Sequence, residues 1–227
     1  MATFSYNQTA DQDALIDQVE YHADMVTATD QTIGINREST YDQLVKAMRA
    51  IFNVAPRRAI DDASADGSGQ AATNSHNYTE IPLPDDFSRF LNLRLQEWKR
   101  DVYQMVDPRS NRVRLQYNEH TSADLYNPVV AKVAKPSSAS GRTIRCWPQD
   151  SGPSIDSFAY LPEKAPEDAP EILKEAIILQ ATSYVLSAQK EKGWQLARQA
   201  AREIISQIRV GEQPMVQRAY QEVQEED

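Results

Sequence analysis

Three histidines are the first side chains to consider for metal binding or acid–base chemistry. His22, His76 and His120 are far apart in the chain, and none has another histidine or a cysteine three or four positions away. A helical metal site needs two such ligands on one face. The sequence therefore predicts no metal centre and no cofactor.

Cys146 is the only cysteine, and it follows Arg145. A neighbouring cation can lower a thiol pKa and produce a nucleophile. A lone cysteine in a predicted strand is more often a small buried apolar side chain, and we expect that role here. No intrachain disulfide can form, so a reducing, intracellular compartment is expected.

Paired carboxylates occur at Asp61–Asp62 and at Asp85–Asp86. Both pairs fall in predicted loops or turns, whereas acid–base catalysis needs a cleft in which titratable groups converge. With only 7 glycines, the chain also lacks a glycine-rich phosphate loop. We predict no catalytic residues and no enzymatic activity. A small hydrolase that uses Asp85 or Asp86 is the least favoured alternative.

Charge is unevenly distributed along this chain of net charge −9. Residues 1–30 hold six acidic side chains and no lysine or arginine, residues 89–114 hold seven basic and three acidic ones, and residues 211–227 are acidic again. Such alternation suits contacts between copies or with a partner. The overall sign argues against general affinity for nucleic-acid phosphates. No signal peptide and no apolar run of membrane-spanning length is expected.

Helical periodicity dominates both ends of the chain. Residues 1–56 form a predicted N-terminal helical segment, with helices over residues 9–28 and 39–52, the second capped by Ser39. Residues 57–77 lack periodicity and are predicted to be a flexible loop. Residues 163–210 read as a helical hairpin that packs with residues 39–56, with Pro170 at the first helical position and Gly193 between the helices.

Alternating apolar residues predict a β-rich section over residues 78–162. Residues 143–147 and 157–161 are predicted to form a pair of strands, and residues 113–117 alternate as a strand would, although a helix is possible there. Trp98, Trp147 and Trp194 are predicted core anchors. The expected class is α+β, with a helical body, long C-terminal helices, a small antiparallel β-section and extended terminal arms.

The C-terminal tail, residues 211–227, contains apolar residues at helical spacing on an otherwise acidic segment. An isolated helix of this length is marginal in water and gains order by docking in a groove. The sequence therefore predicts a protein interface at Met215, Val216, Ala219, Tyr220 and Val223.

One short phrase and the order of elements carry a family resemblance. The phrase is Glu80-Ile81-Pro82-Leu83-Pro84-Asp85-Asp86-Phe87, followed by Leu91, Leu93 and Trp98, with a proline-rich lead into paired C-terminal helices. This layout resembles the head-to-tail connector (adaptor ring) proteins of tailed bacteriophages, closest to those of short-tailed and crAss-like phages.

The resemblance implies a virion structural protein without catalytic residues. It implies a homo-oligomeric ring, commonly a dodecamer, that lies between the portal protein and the tail or further ring proteins, with DNA passing through it during ejection. The expected location is the head–tail junction of a virion assembled in the host cytoplasm. Another phage tail-completion or capsid-associated assembly protein is the alternative.

Overall fold

A computed structural model describes residues 4–27, 36–75, 77–118, 120–134, 141–189, 191 and 193–210. These residues form two compact units. The β unit lies within Ser64–Glu163, and the helical unit lies within Thr3–Ala63 and Lys164–Asp227. Helices and antiparallel strands are both extensive, which confirms the predicted α+β class.

The described residues of the helical unit form four long helices. They are α1 (Ala10–Thr27), α2 (Arg37–Val54), α4 (Glu171–Ala188) and α5 (Trp194–Val210), while the short α3 (Asn111–Arg114) belongs to the β unit. Helix α4 packs against each of the other three long helices. It is accordingly apolar on most sides, with Leu173, Ala176 and Leu186 fully or almost fully buried.

Two predicted helix starts were misplaced. Helix α2 begins at Arg37 rather than at Ser39, because Asn36 is the cap and its side-chain oxygen accepts hydrogen bonds from the backbone N–H groups of Glu38 (3.0 Å) and Ser39 (3.4 Å). Pro170 is the N-cap of α4 and not its first helical residue. Its fixed φ still suits the start of the helix.

The described part of the β unit contains two antiparallel sheets. Its strands are β1 (Ala65–Asp66), β2 (Thr73–Ser75), β3 (Tyr78–Pro82), β4 (Phe87–Leu95), β5 (Val129–Ala134), β6 (Arg142–Trp147) and β7 (Ile155–Pro162). One sheet has the order β1-β7-β4, and the other has the order β2-β3-β6-β5. Residues 113–117 comprise the end of α3 and the 3-10 turn Leu115–Tyr117, so this stretch is helical and not a strand.

The predicted pairing of residues 143–147 with residues 157–161 is wrong. Strand β6 pairs with β3 and β5, whereas β7 pairs with β1 and β4. Ile144 and Cys146 from one sheet and Phe158 and Tyr160 from the other contribute to a single buried cluster. The two strands therefore share a core rather than a ladder of hydrogen bonds.

The predicted flexible loop, residues 57–77, has defined structure in its described part. It contains the 3-10 turns Arg57–Ala59 and Asp61–Ala63, followed by β1 and β2. Ala65 pairs with Tyr160, and the backbone N–H of Gly67 donates to the Phe158 carbonyl at 2.7 Å. Strands of two or three residues are too short to show alternation, which explains why no pattern in this stretch predicted them.

A polar cluster joins three elements of the helical unit. Glu167 accepts hydrogen bonds from the Gln12 side-chain amide and from the Tyr41 hydroxyl, both at 2.9 Å. Gln12 and Tyr41 are almost completely buried, at 3% and 1% exposure. Burial first, and then the hydrogen bond with Glu167, raises the pKa of Tyr41. The cluster keeps this hydroxyl protonated.

Replacing Tyr41 with phenylalanine is expected to lower the free energy of unfolding by about 1–2 kcal/mol, because a buried hydrogen bond to a carboxylate is lost. Urea denaturation at neutral pH measures this difference. Tyr126→Phe is the matched control, since Tyr126 is 65% exposed. The contribution of Tyr41 is complete below pH 10.0, the ordinary tyrosine value, and is lost as the pH rises toward its raised folded pKa. Equal stabilities of the two variants would contradict the role of the cluster.

Candidate interaction surfaces

Cys146 and one carboxylate of each predicted pair are buried, hydrogen-bonded or ion-paired within the fold. Cys146 is fully buried, and burial raises its thiol pKa, which disfavours the nucleophilic thiolate. Asp86 accepts a hydrogen bond from the Tyr160 hydroxyl at 3.1 Å. Burial, followed by this hydrogen bond, raises the pKa of Tyr160 to about 12. Asp61 forms an ion pair with Arg57 at 3.3 Å.

The histidines are not brought together in the described residues. His22 lies on α1 beside the Tyr21 ring, His120 lies in an exposed turn, and His76 is outside the described residues. No group of three or more His, Cys, Asp or Glu side chains in the described part of the chain could hold a metal ion. The predicted interface residues Met215, Val216, Ala219, Tyr220 and Val223 also lie outside the described residues.

An acidic groove runs between α1 and α4 in the helical unit. It has a volume of about 520 Å³. Four acidic side chains and one lysine line it. The lysine, Lys174, forms an ion pair with Glu171 at 2.7 Å. The acidic residues are Asp11, Glu167, Glu171 and Glu175. Asp11 and Glu175 are exposed and suit a cationic partner surface, whereas Glu167 accepts the hydrogen bonds from Gln12 and Tyr41 described above.

A basic and aromatic depression lies on the β unit. Buried residues of β5 line a hollow of about 210 Å³ together with Asp101, which accepts a hydrogen bond from the Tyr103 hydroxyl at 2.9 Å. Arg100, Tyr103 and Arg112 also line it, so that two basic side chains stand against one acidic side chain. All three side chains are exposed, Tyr103 at 58%. Neither Arg100 nor Arg112 has an ion-pair partner among the described residues. Arginine and tyrosine are both enriched at protein interfaces.

Exposed side chains extend this surface over α3 and the turn that follows it. Arg109 and Arg114 are exposed, and Leu115 and Tyr117 are 47% and 56% exposed. The Tyr117 hydroxyl lies 3.4 Å from the Arg145 guanidinium, which in turn forms an ion pair with Glu80 at 3.2 Å. The Tyr117 side chain therefore has a hydrogen bond with Arg145 and an edge contact with the Trp147 ring, while more than half of its surface is exposed.

The net charge is divided unequally between the units. Residues 64–163 carry 11 basic and 12 acidic side chains, whereas the rest of the chain carries 13 basic and 21 acidic ones. Nearly the whole net charge of −9 therefore belongs to the helical part of the sequence. The acidic stretches 1–30 and 211–227 account for much of this excess, whereas the basic stretch 89–114 is balanced by acidic side chains elsewhere in residues 64–163.

An apolar groove lies between α2, α4 and α5. It has a volume of about 350 Å³, and its floor includes Ile51, Ala201 and Ile205, which are at most 5% exposed. Val54 at its edge is 46% exposed. Arg198 and Arg202 line it, and no acidic side chain does. This groove could not be predicted from the sequence, because three helices line it. The periodicity of each helix shows its apolar face but not which helix packs against it.

Comparisons with known proteins give no assignment. Within the described residues, no helix combines the length and apolar character needed to cross a bilayer. No protein-family model matches the chain, and no curated protein is significantly similar to it in sequence.

Proposed function

We propose that this chain is a virion structural protein that forms an adaptor ring between the portal and the tail of a bacteriophage. The observation that carries the proposal is a pair of complementary surfaces on one chain. The acidic groove between α1 and α4 offers the exposed carboxylates of Asp11 and Glu175, and the depression on the β unit offers Arg100 and Arg112 beside Tyr103.

Two different complementary surfaces are what a ring requires. A head-to-tail contact joins one surface of a copy to the other surface of its neighbour, and it closes into a ring when the rotation between copies allows it. Exposed tyrosine and leucine near the depression supply apolar area, and the arginines supply the attraction that fixes the orientation. The resemblance in layout to adaptor proteins points to the same kind of assembly.

The acidic character of the helical part is consistent with passage of DNA. Double-stranded DNA carries one negative charge per about 1.7 Å of its axis, and a lining rich in lysine and arginine would bind it. A chain of net charge −9, repeated around a ring, repels phosphate and allows DNA to slide. In this proposal DNA is a transient passenger and not a specifically bound ligand.

A charge-reversal experiment tests the proposed contact between copies. Arg112→Glu and Glu175→Arg are each expected to weaken ring formation at least about tenfold, because each places like charges opposite one another. The double variant is expected to recover most of the loss, since it restores the attraction in reverse. Negative-stain electron microscopy and light scattering at several concentrations measure the fraction in rings, with and without a portal protein.

Lys46→Glu is the control, because it makes the same change in net charge as Arg112→Glu at an exposed position of α2 outside both surfaces. It is expected to leave ring formation unchanged. A wild-type chain that stays monomeric under all conditions, with portal protein included, would contradict the proposed function. Rings that tolerate both single reversals would contradict this particular contact.

A further inference from the structure

We propose that the apolar groove between α2, α4 and α5 binds a free carboxylate amphiphile with a single alkyl chain, such as a medium-chain fatty acid. The inference goes beyond the proposed function and does not depend on it. All the residues that line the groove belong to the helical unit. The size of the groove, the charge at one end of it and the apolar surface at the other end favour this ligand.

The size of the groove suits a small molecule better than a protein partner. Its volume of about 350 Å³ lies within the range of about 300–1,000 Å³ that is typical of small-molecule sites. Along α5 its lining extends from Arg198 to Ser206, which corresponds to about 12 Å at a rise of about 1.5 Å per residue. A stable protein interface covers about 800 Å² on each partner. A groove of this length offers only a small part of that area.

The charged end of the groove is formed by α5 and α4. Arg198 and Arg202 lie on successive turns of α5, and both are exposed. Helix α4 is joined to α5 by a connection of five residues and packs against it as in an antiparallel hairpin, so Tyr184 lies near Arg198. No acidic side chain of the described residues lines the groove. This end therefore attracts an anionic head group.

The charge of the two arginines is not compensated within the described part of the chain. Neither Arg198 nor Arg202 has an ion-pair partner there. Like charges four residues apart on a helix repel each other and destabilise it. A carboxylate between the two guanidinium groups would remove this repulsion and accept charge-assisted hydrogen bonds from them. The sign and spacing of the charges therefore favour a carboxylate head group over a neutral or cationic one.

The opposite end of the groove is apolar. The Arg58 guanidinium donates a hydrogen bond to the Ile208 carbonyl, so the end of α2 lies beside the end of α5. Val54, the last residue of α2, and Ile205 therefore line the end of the groove away from the arginines. Val54 is almost half exposed, and an alkyl chain that lies along the groove would cover it. A head group at the charged end thus directs the tail toward Val54.

Calorimetric titration of the full-length chain with sodium decanoate, below the concentration at which decanoate forms micelles, tests the inference. We expect saturable binding of one decanoate per chain. Octanoate is expected to bind about fourfold more weakly for each methylene that it lacks, because less apolar surface is buried. Decyltrimethylammonium, which has the same tail and the opposite charge, is expected to bind at least about tenfold more weakly than decanoate. Absence of saturable binding, or equal affinity for the anion and the cation, would overturn the proposal.

Arginine variants test the position of the head group. Arg198→Gln combined with Arg202→Gln is expected to weaken decanoate binding at least about tenfold, because the carboxylate loses both cations. Arg109→Gln combined with Arg114→Gln is the matched control, since it removes the same charge at exposed positions of the β unit. Equal losses in the two double variants would mean that net charge alone attracts the anion, and the groove would not be its site.

Aspartate variants test the position of the tail. Val54→Asp places a carboxylate at the apolar end of the groove and is expected to weaken decanoate binding at least about tenfold. Leu196→Asp makes a similar change at an exposed residue of α5 that does not line the groove, and we expect it to leave the affinity unchanged. If both variants bind decanoate as the wild type does, the alkyl chain does not lie in the groove and the proposal fails.

Protein concentration distinguishes this ligand from a second copy of the chain in the groove. We expect the affinity for decanoate to be constant over a tenfold range of protein concentration. An affinity that falls as the protein concentration rises would show that another copy competes for the groove, which would overturn the proposal in favour of an interface between copies. The titrations need neither rings nor portal protein, so failure of the adaptor function would leave these expected results unchanged.

Discussion

Replacing Gly67 with alanine is expected to lower the free energy of unfolding by about 1–3 kcal/mol, the usual cost of overpacking a core. A Cβ atom at this position would overlap Cδ1 of Phe158 and would lie 2.8 Å from its Cε1. The ring has little room to move, because Phe158 is 1% exposed and packs against the rings of Phe90 and Tyr160. Either the ring or the strand β1 must therefore shift.

Gly69→Ala is the matched control for this substitution. It lies two residues further on, and a Cβ atom there would have no neighbour within 4 Å. Urea denaturation monitored by circular dichroism is expected to show a lower midpoint for Gly67→Ala and a midpoint for Gly69→Ala close to that of the wild type. Equal midpoints would show that Gly67 does not pack on Phe158. The segment would then be the flexible loop that the sequence predicted.

Features that depend on spacing within one helix or strand could be predicted from the sequence, whereas features that depend on contacts between elements could not. The buried face of α2, with Tyr41, Leu44 and Met48, could be predicted because it depends on spacing within one helix. The partners of β6 and β7 could not, because alternation shows which side of a strand is apolar but not which strand lies beside it. The brief strands β1 and β2 were missed for a related reason, since only their pairing with β7 and β3 defines them.

The candidate surfaces also differ in how far the sequence alone predicts them. The excess of basic residues over residues 89–114 was evident in the sequence, and it corresponds to the region that contains Arg100 and Arg112. The acidic groove was only partly evident, because Asp11 and Glu175 come from helices separated by most of the chain. Local composition thus indicates the sign of a surface, whereas the fold determines which charges lie together.

The three tryptophans that were predicted to be core anchors differ in how deeply they are buried. Trp98 and Trp147 are 0% and 1% exposed, whereas Trp194 is only half-buried. The indole N–H of Trp98 donates to the Pro148 carbonyl at 3.3 Å. The indole nitrogen of Trp147 is buried without a hydrogen-bond partner among the described residues. The two buried indoles therefore differ in polar contacts while they are alike in burial.

Trp98→Ala is expected to lower the free energy of unfolding by about 3–5 kcal/mol, because it leaves a large cavity in the core of the β unit. Trp194→Ala, at a half-buried site, is expected to cost clearly less. Phenylalanine substitutions separate packing from hydrogen bonding. Trp98→Phe leaves the Pro148 carbonyl without its donor, whereas Trp147→Phe removes a donor that has no acceptor. Denaturant midpoints should therefore be lower for Trp98→Phe than for Trp147→Phe, and the reverse order would mean that the Trp98 hydrogen bond contributes nothing to stability.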